Sequence, residues 1–335
     1  MVNYLTIKKW TVINLSLIAI LAVCFLFALN TGSEKIDLYG ALTTSGVDHS
    51  ILFTARLPRI LLALLVGLAL SSSGCAFQTL LRNPLADPFI LGISGGAALG
   101  SILAVGLKLS VAYISILAFV GTVFAMITIL LFSGQRGRLD TTRLLLTGVI
   151  FNAFCFSLIL FVNAVVTMEE AYQILFMLIG NLETVSYTTI AYIAGFIIVG
   201  FIGLILLSRK LNLLSLGDSE ARALGINLRG LRIAVFTCAS IMVGAAVSVS
   251  GLIGFVGLFI PHTMRLLFGA DNRLLIPASG LAGAAFLIIA DTLARTVLMD
   301  TGFATELPVG VITAMIGAPF FMILLRQRSM KIFKR

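Results

Sequence analysis

The stretch Ser208–Gly230, SRKLNLLSLGDSEARALGINLRG, decides how the rest of the chain is read. It carries Arg209, Lys210, Asp218, Glu220, Arg222 and Arg229 between two long apolar stretches. No polar interruption assigned below to the cytosol is longer, yet this one is too short to fold as a soluble module. Working outward from it, apolar residues make up 59% of the chain, charged residues 11%, and the mean hydropathy is +1.12, far above a soluble globular protein. The expected fold is all-α: a polytopic membrane protein forming one transmembrane domain over residues 1–335, with 208–230 as its cytosolic segment.

Crossing a bilayer takes about 20 apolar residues per helix. That length predicts about ten spans, at 10–30, 57–79, 89–106, 112–133, 144–166, 189–207, 232–250, a short 257–269, 275–295 and 307–325. The run from Trp10 to Leu29, preceded by Lys8 and Lys9, is long enough to span and has no clear small-x-small cleavage site, so it is read as a retained first span rather than a signal peptide. With the amino terminus inside, only Lys35, Arg56, Arg59, Lys108 and Arg295 of the 23 Lys and Arg residues fall outside, a bias that places both termini in the cytosol. The net charge of +9 therefore encodes topology, and the expected surroundings are membrane lipid, not nucleic acid. Cys24, Cys75, Cys155 and Cys238 sit inside apolar runs without pairing intervals, so neither a disulfide framework nor a metal site is expected.

The chain echoes itself. Val66–Gly74 and Val243–Gly251 both read V-G-x-A-x-S-x-S-G, five predicted spans apart. An odd number of spans inverts the second copy, which is the trace of an inverted-topology internal repeat. Gly92, Gly96 and Gly100 are spaced to share one face of the third span, where they would let another backbone approach closely and make that span central.

Within the opening stretch, Ser215–Gly225 has the signals of a short helix: Asp218 or Ser219 as cap, Ala221 and Leu224 on one face, Gly225 as stop, and a second short turn through Asn227–Arg229. An amphipathic hairpin tied at both ends to spans has the right shape to transmit motion from a soluble partner; an ordinary loop is the alternative. Arg82–Pro88, broken twice by proline, must be buried in protein or face water, as part of a gate or as a plain turn. Asp291 and Arg295, four apart in one span, can neutralise each other. Arg56, Arg59 and Arg295 are the outer-face arginines; they suit an anionic partner, or pair with Glu34, Asp37 or lipid headgroups.

Catalytic patterns are sparse. There is no GxxxxGK[ST] phosphate loop and no HExxH. Gly92-Ile93-Ser94-Gly95 matches the GxSG of rhomboid-type proteases, but such a Ser needs a His base, and only His49 and His262 exist. No cofactor is expected. An ion-coupled secondary transporter also fits inverted repeats, although such carriers place ionisable residues mid-span, where Asp291 is the single acid.

Five strings then carry a resemblance: Arg56-Leu57-Pro58-Arg59, QTLLRNPLADPFILG (78–92), GLIGFVGLFIPHTMR (251–265), Glu306-Leu307-Pro308-Val309-Gly310 and Gly317-Ala318-Pro319. In these strings the chain resembles the permease subunits of type II ATP-binding-cassette importers, the iron-siderophore, haem and cobalamin uptake family. The resemblance implies an inner-membrane transport subunit that is not itself an enzyme. It implies a pairing with a second copy, two separate ATPase subunits below and an extracytoplasmic substrate-binding protein above. By the same likeness, Gly217, Asp218, Ser219, Glu220, Ala221, Arg222, Ala223, Leu224 and Gly225 match coupling helices seated in the ATPase. Arg56, Arg59 and Arg295 match positions that meet acidic residues of the binding protein. Asn83, Leu85, Thr141 and Thr142 match the cytosolic gate.

Overall fold

The computed structural model describes residues 6–32, 34, 36–43, 46–135, 138–298 and 306–332. Its helices, in chain order, are α1 (Ile7–Asn30), α2 (Leu38–Thr43), α3 (Val47–Ser50), a π-helical turn (Ile51–Arg56), α4 (Leu57–Leu80), α5 (Ile93–Gly106), α6 (Val111–Ser133), α7 (Thr141–Val165), α8 (Met168–Ile179), α9 (Tyr187–Leu214), α10 (Asp218–Ala223), α11 (Leu228–Ser250), α12 (Val256–Phe268), α13 (Asn272–Thr296) and α14 (Val309–Ile332). A two-residue antiparallel ladder, β1 (Gly134–Gln135) on β2 (Arg138–Leu139), joins α6 to α7. Among the described residues, seven helices are long and apolar enough to cross a membrane, and α5, α12 and the first part of α14 are shorter apolar helices. Together they occupy the ten expected spans. Lys35, Arg136, Lys334 and Arg335, used above to assign sidedness, lie outside the described residues.

The helix at the centre is α4, not the third span as expected. It packs on α9, α11, α12 and α13, and nearly every side chain from Val66 to Leu80 is buried. Its glycines explain the closeness. A Cβ on Gly67 would lie 2.3 Å from the Gly283 carbonyl oxygen of α13. A Cβ on Gly74 would lie 1.9 Å from the Gly257 oxygen of α12. The second copy of the echo does related work, since Gly244 of α11 lies against Thr122 of α6. So α4 pairs with α12 and α13 while α11 pairs with α5 and α6, the crossed pattern an inverted repeat produces. Both short helices start from a left-handed residue, Gly92 (φ 79°) before α5 and Phe255 (φ 68°) before α12.

Several expected boundaries move. Gly92 precedes α5 and its own close contact is the Gly148 oxygen of α7, so only Gly96 and Gly100 lie on the α5 face that meets α6. No glycine or proline falls between Gly203 and Gly217, so α9 continues through Ser208–Leu214, and the polar stretch outside the long helices shrinks to 215–227. The turn expected at Asn227–Arg229 is the first turn of α11, with the Asn227 side chain accepting from Gly230 N. The helix α8 was not anticipated, although Thr167 and Glu170 form the reciprocal capping box that T-x-x-E signals.

Asn212, near the end of α9, ties that helix to the start of α13. Its amide nitrogen donates to Asp271 Oδ1 (2.7 Å) and its oxygen accepts from both nitrogens of Asn272 (2.8 Å each). Asn212→Ala leaves partly buried donors without partners and is expected to cost about 1–3 kcal/mol, read as a lower thermal midpoint of the detergent-purified protein.

Candidate functional site

Two charged clusters stand at opposite ends of the helices. At one end α10 bridges α9 and α11. Gly217 (φ 142°) opens the turn, Gly225 (φ 78°) closes it, and Ala221 is buried beneath it while Leu224 is exposed. Ala221 and Leu224, expected on one face, therefore differ in environment. Nor does Asp218 or Ser219 cap the helix: the cap residue is Gly217, with no side-chain bond. Ser219 Oγ donates instead to Glu220 Oε2 (2.9 Å).

Asp218 is committed elsewhere. Its Oδ1 accepts from Arg82 Nη2 and its Oδ2 from Arg232 Nη2, both at 2.6 Å. Arg82 also donates to the Leu214 carbonyl through Nε (3.1 Å) and Nη2 (2.7 Å), and Arg232 Nη1 donates to the Leu139 carbonyl of β2. Burial pushes the Asp218 carboxyl up, but the bonds and charges of Arg232 and Arg82 outweigh it and hold it below the usual carboxylate range. Whatever the clamp contributes is therefore complete above that range and is lost only as pH falls through it. Beside it, Arg222, Arg229 and Arg232 line a basic cleft of about 330 Å³ between α10, the start of α11 and β2.

The gate candidates stand on two segments at this end. Asn83 and Leu85 lie in the turns of 81–92, where Asn83 Oδ1 accepts from Leu85 N (2.9 Å) and Leu85 is exposed. Thr141 and Thr142 are the first residues of α7, capped by Asp140, whose Oδ1 accepts from Arg143 N (2.9 Å). No hydrogen bond or ion pair among the described residues joins the two pairs directly.

At the other end the three arginines are largely buried, not an exposed row. Arg56 donates to the carbonyls of Leu29 (2.6 Å) and Glu34 (2.7 Å), so it meets the Glu34 backbone and not its carboxylate. Asp291, 1% exposed, sits between Arg59 Nε (3.0 Å from Oδ1) and Arg295 Nε (3.1 Å from Oδ2). Arg59 Nη1 reaches on to Glu306 Oε2 at 2.6 Å, and that glutamate is the open edge of the cluster, with 43% of its side chain exposed. The pairing of Asp291 with Arg295 was legible as an i, i+4 spacing. Arg59, 232 residues distant in sequence, joins them because Gly67 and Gly283 bring α4 and α13 together.

Two of the sequence strings converge near this end on the close of α8. Gly310 N donates to the Gly180 oxygen (3.1 Å), Leu252 N to the Met177 oxygen (3.0 Å) and Asn181 N to the Ser250 oxygen (2.9 Å), while Leu307 N donates to Ala294 at the end of α13 (3.1 Å). Beside this knot lies a cavity of about 430 Å³, with Ser101, Tyr172, Gln173, Asn181 and Glu183 among its walls. Nothing in its sequence marked it, because its walls come from four separate segments. The protease arrangement is not assembled from His49, whose Nδ1 bonds the Ala41 carbonyl (2.9 Å), while His262 in α12 packs edge-on to Phe321 and Ser94 is buried in α5.

Comparison with known proteins matches residues 20–327 to the FecCD transport family. The hemin transport system permease protein HmuU of Yersinia pestis is 38% identical over 325 residues, covering 94% of this chain and 96% of that protein. The vitamin B12 import system permease protein BtuC of Shigella boydii is 38% identical over 320 residues, covering 95% and 94%. Among solved structures, a chain of a metal-chelate type ABC transporter in an inward-facing conformation superposes with a TM-score of 0.85 at 32% identity, covering 94% of this chain and 99% of that one.

Proposed function

Because this chain belongs to the FecCD transport family, we propose that it is the membrane-spanning permease subunit of an ATP-driven importer for a metal chelate such as a ferric siderophore, haem or cobalamin. The observation that carries this reading is α10, a six-residue helix held between two spans and presenting Leu216, Arg222 and Leu224 to solution. In this reading the chain is one permease domain, sits in the inner membrane with both termini in the cytosol, and works beside a second copy with the path between them. Two ATPase subunits bear on Gly217–Gly225. A substrate-binding protein docks at the end carrying Arg56, Arg59 and Arg295. Since Glu306 already occupies Arg59, an incoming carboxylate has to take that glutamate's place. Asn83 and Leu85, with Thr141 and Thr142, close the cytosolic side.

ATP drawing the nucleotide subunits together would shift α10, rock the two copies and open one side of the path, and hydrolysis would reset it. The path need not hold substrate tightly, because a tight site slows release. The test is to tag the chain, extract it gently from its host membranes with crosslinking inside Gly217–Gly225, and identify what stays bound by mass spectrometry. Recovery with an ATPase subunit in equal amount is expected. Recovery alone, or uptake into vesicles that follows an ion gradient without ATP, would replace this reading with an ion-coupled carrier.

A further inference from the structure

We propose that Asp218 is the positioning residue that carries movement of α10 to both cytosolic gate segments at once. The inference rests on the importer reading and names its transmission. Each oxygen of the carboxylate holds a different arginine, and each arginine belongs to a different segment. Arg82 directly precedes Asn83, and its guanidinium is fixed from a second side by the Leu214 carbonyl at the end of α9. Arg232 reaches from α11 to the Leu139 carbonyl, two residues ahead of Thr141. A displacement of α10 therefore pulls on 81–92 through one oxygen and on the β2–α7 junction through the other.

The two arms differ in character. The Arg232 side chain is 6% exposed and the Arg82 side chain 40%, so the first arm is shielded from solvent and salt and the second is screened. Arg82 also holds a left-handed backbone (φ 49°), a conformation side chains disfavour, at the point where the 81–92 segment leaves α4. Glu220, the other acid of α10, hydrogen-bonds its neighbour Ser219 and its own backbone amide and meets Arg82 only through charge, with no bond to Arg232 among the described residues. Within α10 the link to both segments runs through Asp218 alone.

The experiment uses the complex of this chain with its co-purified ATPase, the four cysteines replaced by alanine, and nitroxide labels at Arg143→Cys beside Thr142 or at Ile90→Cys beyond Leu85. Distances between the two copies are read without nucleotide and with ATP plus vanadate. In the otherwise unsubstituted complex both label pairs should shift on ATP. In the fraction that still co-purifies with the ATPase, Asp218→Asn should abolish both shifts, and Asp218→Glu should restore them in part. Arg82→Gln, which alters a half-exposed group and should fold even where the asparagine variant does not, should abolish the shift at Ile90→Cys while sparing that at Arg143→Cys. Full shifts in Asp218→Asn, or equal loss at both labels in Arg82→Gln, would overturn the proposal. Absence of any shift before substitution would overturn the importer reading itself, and the transmission with it.

Discussion

Asp291→Asn is expected to remove most of the folded protein recovered from membranes. The carboxylate stands between two guanidinium groups with side-chain exposures of 12% and 6%, and neither arginine can shed its proton to escape burial. Deleting one partner of a buried ion pair costs about 3–5 kcal/mol because it strands the other charge; here Arg295 loses its acid while Arg59 keeps only Glu306 at the open edge, and the two guanidinium groups face each other. With native stabilities of about 5–15 kcal/mol, that is a large share of the whole. The measurement is the monodisperse fraction on size exclusion together with the thermal midpoint. Asp291→Asn combined with Arg295→Met removes the stranded charge and should recover part of the loss, a coupling that a double-mutant cycle resolves. An Asp291→Asn protein with wild-type yield and midpoint would show that the cluster is solvated and contributes little.

Gly74→Ala should be comparably severe despite adding one methyl group. The new carbon would lie 1.9, 2.6 and 2.7 Å from the oxygen, carbonyl carbon and Cα of Gly257. These are backbone atoms of a neighbouring helix, so no rotamer change relieves the clash and α4 must part from α12. Overpacking costs about 1–3 kcal/mol where side chains can adjust and more where they cannot. Separating these helices also disturbs Gln78, whose Nε2 donates to the Leu258 carbonyl at 2.9 Å. Gly195→Ala is the control: that glycine lies mid-helix in α9 with no atom within 4 Å of the added carbon, and gains up to about 1 kcal/mol in helix propensity. Loss of yield in Gly74→Ala with none in Gly195→Ala is the expected pair of results, and equal behaviour of the two would refute the packing argument.

Hydropathy made the number and place of the spans legible, since each helix needs its own apolar run, and the echo at Val66 and Val243 pointed to the crossed pairing. Local charge made Asp291–Arg295 legible too. What escaped were relations across the chain. Asp218 looked like a helix cap because Asp is among the favoured cap residues; two arginines, 136 positions before it and 14 after it, take its oxygens instead of the backbone. For Arg56 and Arg59 an anionic partner and pairing with Glu34 or Asp37 stayed open, because sequence shows charge without burial. Amphipathic α8 lies between two spans and lacks a uniformly apolar run, so hydropathy does not mark it, whereas its capping box does.

The crossed pairing of α4 has a consequence for biosynthesis. Helix α4 is complete by residue 80, yet the partners that bury it, α9, α11, α12 and α13, are all made later, the last ending at Thr296. At roughly 5–20 residues per second, the ribosome needs on the order of ten to forty seconds to supply α13. Until those partners emerge in turn, the small-residue faces of α4 have only α1, lipid or an insertion chaperone for company. Its most vulnerable moment therefore precedes the emergence of its final third.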